Sequence, residues 1–201
     1  MQTVHRFLAA AVLALLSASS YATVIYNTSA SFLSHVAPGS YTQNFNGLPD
    51  PPPGPVAFSG NGFSYSASAP GDIYLSGGFL GTSLPNVMLA INFTSGNVFA
   101  IGANFYATNI SDAFQPVSIS ISLSDGTVET FTPTSLADSY RGFVSSVAIT
   151  SLMLLGPGQS LYAGLDNLTV GAAARLVPEP ATWLLLGLGL AGLLVARRRP
   201  V

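Results

Sequence analysis

The chain contains no cysteine and no lysine, and only 7% of its residues are charged. Without cysteine it has neither disulfide bonds nor thiolate chemistry, so a folded domain must be held together by an apolar core. Between residues 23 and 177, two basic side chains, Arg141 and Arg175, are set against seven acidic ones, which gives a net charge of −5. A charge of this sign argues against nucleic acid, or any anionic polymer, as a partner.

Histidine is also scarce, because His5 and His35 are the only two in the chain. A catalytic triad or a histidine-ligated metal is therefore not expected, and we predict a surface or capping role for His35. Four aspartates stand beside Pro, Gly or Ser, a context typical of turns: Asp50, Asp72, Asp112 and Asp125. No pair of carboxylates is marked out for glycoside hydrolysis. We predict no catalytic residue and a protein that is not an enzyme.

Long apolar runs occur only near the two ends of the chain. Arg6 precedes an apolar run over 7–16, and Ser20 and Ala22 then supply small residues at the two positions that a signal peptidase reads. The run is too short for a convincing transmembrane helix. The pattern predicts a signal peptide over residues 1–22, which signal peptidase removes after Ala22.

The C-terminal segment, 177–201, combines three features in order: the motif Pro178, Glu179, Pro180, the apolar run 181–196, and the basic cluster Arg197, Arg198, Arg199. As a helix the apolar run would be roughly 24 Å long, against a hydrocarbon core of about 30 Å. It therefore predicts a single transmembrane helix in a slightly thinned bilayer. The arginines predict a membrane stop on the cytoplasmic side. The prolines keep Glu179 in an extended, accessible segment.

This three-part tail resembles the PEP-CTERM sorting signal of Gram-negative bacteria, with the motif at Pro178, Glu179 and Pro180. The resemblance implies that an exosortase, a membrane-embedded protease or transpeptidase, recognises the motif and removes the tail. It implies a precursor anchored in the cytoplasmic membrane, followed by a final place at the cell surface or in the extracellular matrix, and an association with exopolysaccharide. The alternative is a plain C-terminal anchor that is never cut.

The region between the two ends predicts an all-β domain, because it is rich in Ser, Thr, Gly, Phe and Tyr and poor in helix-forming polar residues. Apolar and serine residues alternate over 117–124, which indicates a strand with one buried face. Asp125-Gly126 predicts a two-residue hairpin turn with a return strand over 127–132. This register places Val128 opposite Leu123 on the core side and Phe131 opposite Ser120 on the serine side, unless a bulge corrects it.

Further runs of alternating or apolar residues predict the remaining strands: 41–46, 55–59, 62–67, 72–75, 89–93, 99–105, 143–149, 151–155 and 160–170, the last broken near Gly164. One short helix is predicted over 29–36, with Ser29 as its cap. Many short strands separated by Gly and Pro turns predict a two-sheet sandwich, jelly-roll-like, over residues 23–176. No other folded unit is expected.

Two groups of residues are candidates for binding. If 165–170 is a strand, Asp166 shares a face with Leu168 and Val170, where a carboxylate needs several hydrogen bonds or a cation. Asp166 and Asn167 are then candidate ligands of Ca²⁺, or Asp166 accepts backbone N–H bonds from a nearby loop. Aromatic side chains are candidates for stacking on sugars: Tyr65, Tyr74, Tyr106, Tyr140, Tyr162 and Phe131.

Three functions remain open. The first is a non-enzymatic exported protein of the envelope or matrix, sorted through its tail and without a cofactor. The second is a carbohydrate-binding module, with or without Ca²⁺, which a concave groove lined by several tyrosines would favour. The third is a glycan-active enzyme, which two facing carboxylates in a cleft would favour. A flat surface without a groove would favour the first.

Overall fold

The computed structural model describes residues 23–158 and 160–174. The predicted signal peptide with its cleavage site at Ala22 lies outside the described residues. So do the sorting motif at Pro178, Glu179 and Pro180, the predicted transmembrane run 181–196 and the basic residues Arg197, Arg198 and Arg199. In the part of the chain that is described, no helix has the length and apolar character needed to cross a membrane.

The described residues form fourteen strands and one short helix. In chain order these are β1 Thr23–Tyr26, α1 Ser29–Leu33, β2 Tyr41–Gln43, β3 Val56–Gly60, β4 Phe63–Ser68, β5 Ile73–Tyr74, β6 Leu80–Thr82, β7 Leu89–Phe93, β8 Ala100–Thr108, β9 Phe114–Gln115, β10 Ile119–Leu123, β11 Val128–Phe131, β12 Tyr140–Ser145, β13 Ser151–Leu154 and β14 Tyr162–Gly171.

Two antiparallel sheets make up the fold. The first has the order β1-β12-β8-β14-β6-β5, with β2 also beside β14 and β9 also beside β8. The second has the order β11-β10-β13-β7-β4-β3. Their facing side chains form one buried cluster, to which Ile101, Phe105 and Leu165 contribute from the first sheet and Ile91 and Ile121 from the second. The predicted all-β, two-sheet architecture is confirmed, while its jelly-roll-like character stays a prediction.

The hairpin between β10 and β11 differs from its predicted register. Its loop has three residues, because Leu123 N donates to Thr127 O at 2.9 Å and Gly126 adopts φ +90°. This geometry is that of a type I turn followed by a glycine bulge. Val128 therefore pairs with Ser122 and is 62% exposed, so its predicted place on the core side is wrong. Phe131 pairs with Ile119 and packs against the core.

Strand β14 bends at Asn167 rather than at the predicted Gly164. The register between β14 and β8 shifts between Asp166 and Thr169, and Asn167 has a φ of +54°. The strand is otherwise continuous from Tyr162 to Gly171. A bulge of this kind changes which side chains face the core on either side of it.

The predicted helix is present but shorter. It spans Ser29–Leu33, and its cap is Thr28, whose hydroxyl accepts a hydrogen bond from Ser31 N at 3.2 Å. His35 follows the helix, is half-buried, and stacks on Tyr26 with ring centroids 4.6 Å apart. Three short strands were not predicted: β1, β6 and β9. The strand predicted over 143–149 begins earlier and ends at Ser145, as β12.

Candidate functional site: an aromatic pocket on the outer face of the first sheet

The side chains of strand β8 alternate between the two faces of the first sheet. Its residues Ile101, Ala103 and Phe105 belong to the core between the sheets. Because side chains alternate along a strand, Tyr106 and Thr108 point to the opposite, outer face. The candidate site lies on this outer face, at the end of β8 that leads into β9.

Two glycine pairs let aromatic rings lie close against the outer face. Gly102 pairs with Gly142, and both lie under Phe32 of the helix. Gly81 pairs with Gly164, and both lie under Phe79. A Cβ atom on Gly81 would come within 2.8 Å of the Phe79 ring, so any other residue there would displace it. The helix thus covers one half of this face, and Phe79 forms part of the floor of the other half.

A pocket of about 350 Å³ opens in that second half. Its aromatic lining is Tyr74, Phe79 and Tyr162; its hydroxyl and amide lining is Thr82, Ser83, Thr108 and Asn109. Asp50, Asp112 and Ile110 complete the lining. The pocket therefore combines exposed ring surface with many groups able to form hydrogen bonds, and no basic side chain of residues 23–158 and 160–174 lines it.

Asp112 is held in the pocket by the loop between β8 and β9. The Asn109 side-chain oxygen accepts hydrogen bonds from Ser111 N at 2.9 Å and Ala113 N at 3.1 Å, which closes this loop. Asp112 has a φ of +58° at the turn, and its Oδ2 accepts the Tyr74 hydroxyl at 2.6 Å. That hydrogen bond is the main cause of a raised pKa for Tyr74. The loop and β5 are thereby tied together across the pocket.

Asp50 has a different role at the pocket. Its Oδ1 accepts the backbone N–H groups of Leu75 at 2.7 Å and Ser76 at 2.9 Å, and its Oδ2 accepts the Ser76 hydroxyl at 3.0 Å. Hydrogen bonds lower the pKa of Asp50, and the one from Leu75 N has the largest effect. Burial acts in the opposite direction and raises this pKa. Asp50 thus stays ionised and holds the residues that follow β5.

Asp166 and Asn167, the candidate Ca²⁺ ligands, lie at the bulge of β14. Leu165 and Leu168 both face the core, so Asp166, next to Leu165, points to the outer face and does not share a face with Leu168. Asp166 accepts Asn167 N at 2.6 Å and Asn167 Nδ2 at 3.2 Å. Burial raises the pKa of Asp166.

The surroundings of Asp166 bear on the metal hypothesis. Within residues 23–158 and 160–174, no three His, Cys, Asp or Glu side chains group closely enough to hold a metal ion. The backbone hydrogen bond from Asn167 matches the second interpretation of Asp166, a carboxylate that accepts N–H groups, although the donor is its own neighbour rather than a separate loop. The Ca²⁺ assignment stays a prediction.

The structure brings two of the six aromatic candidates, Tyr74 and Tyr162, into the pocket. Tyr65 is 1% exposed in the core, and burial raises its pKa. Tyr140 lies beneath the helix beside Phe32, and Tyr106 is 6% exposed and packs on Phe79. Phe131 lies under the guanidinium of Arg141, 3.6 Å from Cζ to the ring centroid.

Sequence reasoning missed Phe79 and the pairing of Tyr74 with Asp112. The available signal for Phe79 was its position among Gly77, Gly78 and Gly81, since an aromatic residue among glycines often lies against bare backbone. No local signal connects Tyr74 with Asp112, because they are far apart in the sequence.

The fold and the pocket define an all-β protein of two packed sheets with an acidic, aromatic-lined pocket on one outer face. The tail then places it further: residues 176–199 match the family model for the PEP-CTERM protein-sorting motif. The resemblance drawn from Pro178, Glu179 and Pro180 is confirmed for this segment. No curated protein matches the chain, and no solved structure matches it. A sorting motif of this kind implies an exported protein that is processed at a membrane.

Proposed function

We propose that this protein is a non-enzymatic component of the cell envelope or extracellular matrix of a Gram-negative bacterium, delivered and processed through its C-terminal tail. The observation that carries the proposal is the match of residues 176–199 to the PEP-CTERM protein-sorting motif. Association with exopolysaccharide belongs to this proposal, as does the division of the chain into 1–22, 23–176 and 177–201.

The proposed route has two cleavages. Signal peptidase cuts after Ala22, and the apolar run 181–196 then holds the precursor in the membrane with the arginines on the cytoplasmic side. An exosortase-type protease recognises Glu179 between its two prolines and removes the tail. The prolines disfavour helix, so the motif stays extended just outside the bilayer, where an active site can bind it.

The contacts of Thr23 are compatible with cleavage after Ala22. Thr23 lies in β1 and pairs with Ser145 of β12. The Thr23 hydroxyl donates to Asp125 Oδ2. Cleavage after Ala22 retains these contacts, whereas cleavage further along would remove them.

The electrostatics of the pocket support a non-enzymatic role. A glycosidase needs one carboxyl group with a raised pKa to act as the general acid. Asp50 has a lowered pKa because the backbone N–H groups of Leu75 and Ser76 and the Ser76 hydroxyl donate hydrogen bonds to its carboxylate. The second carboxylate, Asp112, already accepts the Tyr74 hydroxyl. Asp166, whose pKa is raised by burial, and the half-buried His35 are not part of the pocket lining.

Mass spectrometry of both termini of the exported protein, isolated from its native host, tests the proposal. We expect an N-terminus at Thr23 and a C-terminus that lacks 181–201. A released protein that still begins near Met1, or that keeps the arginines at 197–199, would refute the corresponding cleavage.

A further inference from the structure

The pocket on the outer face of the first sheet is large enough, and varied enough in its lining, to hold a small molecule. Its volume of about 350 Å³ lies within the range of ligand pockets. Tyr74 and Tyr162 are partly exposed, and their rings offer flat apolar surface to whatever occupies the pocket. The choice of occupant depends on the polar groups and on the charge.

The charge of the pocket disfavours an anionic occupant. Asp50 and Asp112 both line it. Residues 23–158 and 160–174 contain no lysine, and the guanidinium of Arg141 is engaged elsewhere, with Glu129 at 3.3 Å and over the Phe131 ring. Among these described residues, a phosphate, sulfate or uronic acid would therefore meet two carboxylates and no compensating cation.

The polar groups of the pocket match a polyhydroxyl compound. Within residues 23–158 and 160–174, Asp112 Oδ1 and Asn109 Nδ2 make no hydrogen bond to protein, while their companion atoms are engaged by Tyr74, Ser111 and Ala113. One is an acceptor and the other a donor, and both are held in place by the closed loop. The hydroxyls of Ser83 and Thr108 lie in the same lining. Donors and acceptors beside ring faces suit the two sides of a sugar, its hydroxyl edge and its apolar C–H face.

We propose that this pocket binds an uncharged saccharide, one or two sugar units of a neutral glycan. The sugar packs a C–H face on Tyr162 and directs hydroxyl groups to Asp112 Oδ1 and Asn109 Nδ2. The inference goes beyond the proposed sorting function and does not depend on the tail. A quaternary ammonium compound is the main competitor, because aromatic rings with nearby carboxylates also attract cations. Such a cation would leave the hydroxyl and amide groups of the pocket without hydrogen-bond partners.

Isothermal titration calorimetry of the full chain tests the proposal, in a detergent without a sugar headgroup. The probes are three neutral disaccharides (cellobiose, maltose and lactose), glucuronate as the anionic sugar, and choline as the cation. We expect at least one disaccharide to bind with a Kd of about 0.1–10 mM. Glucuronate should bind at least about tenfold more weakly, because it meets the two carboxylates.

Three variants assign the binding to the pocket. Tyr162→Ala removes a ring face and should weaken disaccharide binding about tenfold, and Tyr162→Leu should do the same with better packing of the strand. Tyr26→Ala is the matched control, because Tyr26 is a partly exposed tyrosine that stacks on His35 outside the pocket. Its affinity should equal that of wild type. Circular dichroism confirms that each variant is folded.

Asp112→Asn separates a sugar from a cation. The asparagine oxygen can still accept the Tyr74 hydroxyl, but the charge is lost. The amide nitrogen then stands in place of Oδ1 and donates to a sugar hydroxyl instead of accepting from one, so affinity for a neutral disaccharide should fall less than about tenfold, whereas affinity for a cation would fall at least about tenfold. The proposal is overturned if no disaccharide binds at about 50 mM, if Tyr162→Leu binds like wild type, or if choline alone binds and requires Asp112.

Discussion

Asp125 shows how a residue expected in a turn also joins the two sheets. It lies in the loop between β10 and β11 of the second sheet, and its Oδ2 accepts the hydroxyls of Thr23 and Ser145 from the first sheet. Its Oδ1 accepts Thr127 N at 2.9 Å, which is the turn contact expected of an aspartate. The turn role could be inferred from the sequence; the contacts with β1 and β12 could not, because they depend on the sandwich.

Protonation of the Asp125 carboxylate in acid should make the protein less stable. Burial acts to raise its pKa, but the hydrogen bonds from Thr23, Thr127 and Ser145 lower it overall. A carboxyl group with a lowered pKa stabilises the fold above its unfolded value of about 3.9, and this contribution is lost as the pH falls through the folded pKa. Asp125→Asn should therefore lose less unfolding free energy than wild type between about pH 5 and pH 2.

Asp166→Asn provides a control of opposite sign. The pKa of Asp166 is raised by burial, so protonation in acid favours the folded state. Removal of this group should make the acid loss of stability steeper than in wild type. Urea denaturation of all three proteins across the pH range measures both effects. Parallel curves for wild type and Asp125→Asn would contradict the role given to Asp125.

Ile121 and Ser120 test the burial pattern of β10. Ile121 is fully buried in the core between the sheets, while Ser120 faces outward and lies 3.2 Å from the Thr130 hydroxyl. Ile121→Ala should lower the free energy of unfolding by about 2–4 kcal/mol, and Ser120→Ala by no more than about 0.5 kcal/mol. Denaturant titration checks both values. Equal losses would mean that the two faces of the strand are wrongly assigned.

At the scale of elements, alternation predicted strands well where one face meets the core. Strand β7 has its predicted bounds, and β10 lies within its predicted run. Strands β1, β6 and β9 were missed because each is four residues or fewer and shows too little alternation to stand out. Their places are set by pairing with longer neighbours, which are distant in the sequence.

Registers were harder to predict, because a single residue in the left-handed region changes them. Gly126 converts a two-residue turn into a three-residue loop, and Asn167 shifts β14 against β8. Both residue types tolerate a positive φ, but neither requires it. The consequence for the site was direct: the bulge at Asn167 turned Asp166 outward, against the prediction that it shares a face with Leu168.

The corrected hairpin register makes its own prediction. Phe131 packs against the core and carries the Arg141 guanidinium, whereas Val128 is exposed on the serine face. Phe131→Ala should cost about 1–3 kcal/mol of unfolding free energy, and Val128→Ser no more than about 0.5 kcal/mol. Thermal and urea denaturation measure the two losses. A larger loss from Val128→Ser than from Phe131→Ala would contradict this register and favour the predicted two-residue turn.

The pocket could be anticipated only in part. Tyr74 and Tyr162 were among the aromatic candidates, but the pocket depends on the pairing of Gly81 with Gly164 and on Phe79 above them. Strand pairing between distant segments brought these groups together. By contrast, the tail could be read directly, because a sorting signal is linear and does not need a fold to bring its residues together.

At the scale of the whole molecule, the tail should control where the chain stays. Replacement of Arg197, Arg198 and Arg199 by serine removes the positive charges that fix the cytoplasmic end of the apolar run. We expect a larger fraction of misoriented or prematurely released protein, before any effect on cleavage. Protease accessibility of membrane vesicles measures orientation. Wild-type orientation in this variant would show that the arginines are not the membrane stop.

The most direct test of sorting through the tail is the fate of Glu179→Ala in the native host. Arg175→Ala, one residue outside the matched segment, serves as the control. A pulse-chase immunoblot with membrane fractionation follows the three proteins. We expect wild type and the control to mature, and Glu179→Ala to accumulate in the membrane as a precursor longer by roughly 20 residues, those at 181–201. If Glu179→Ala and wild type have the same size and the same distribution between membrane and released fractions, the segment is a plain anchor and not a processed sorting signal.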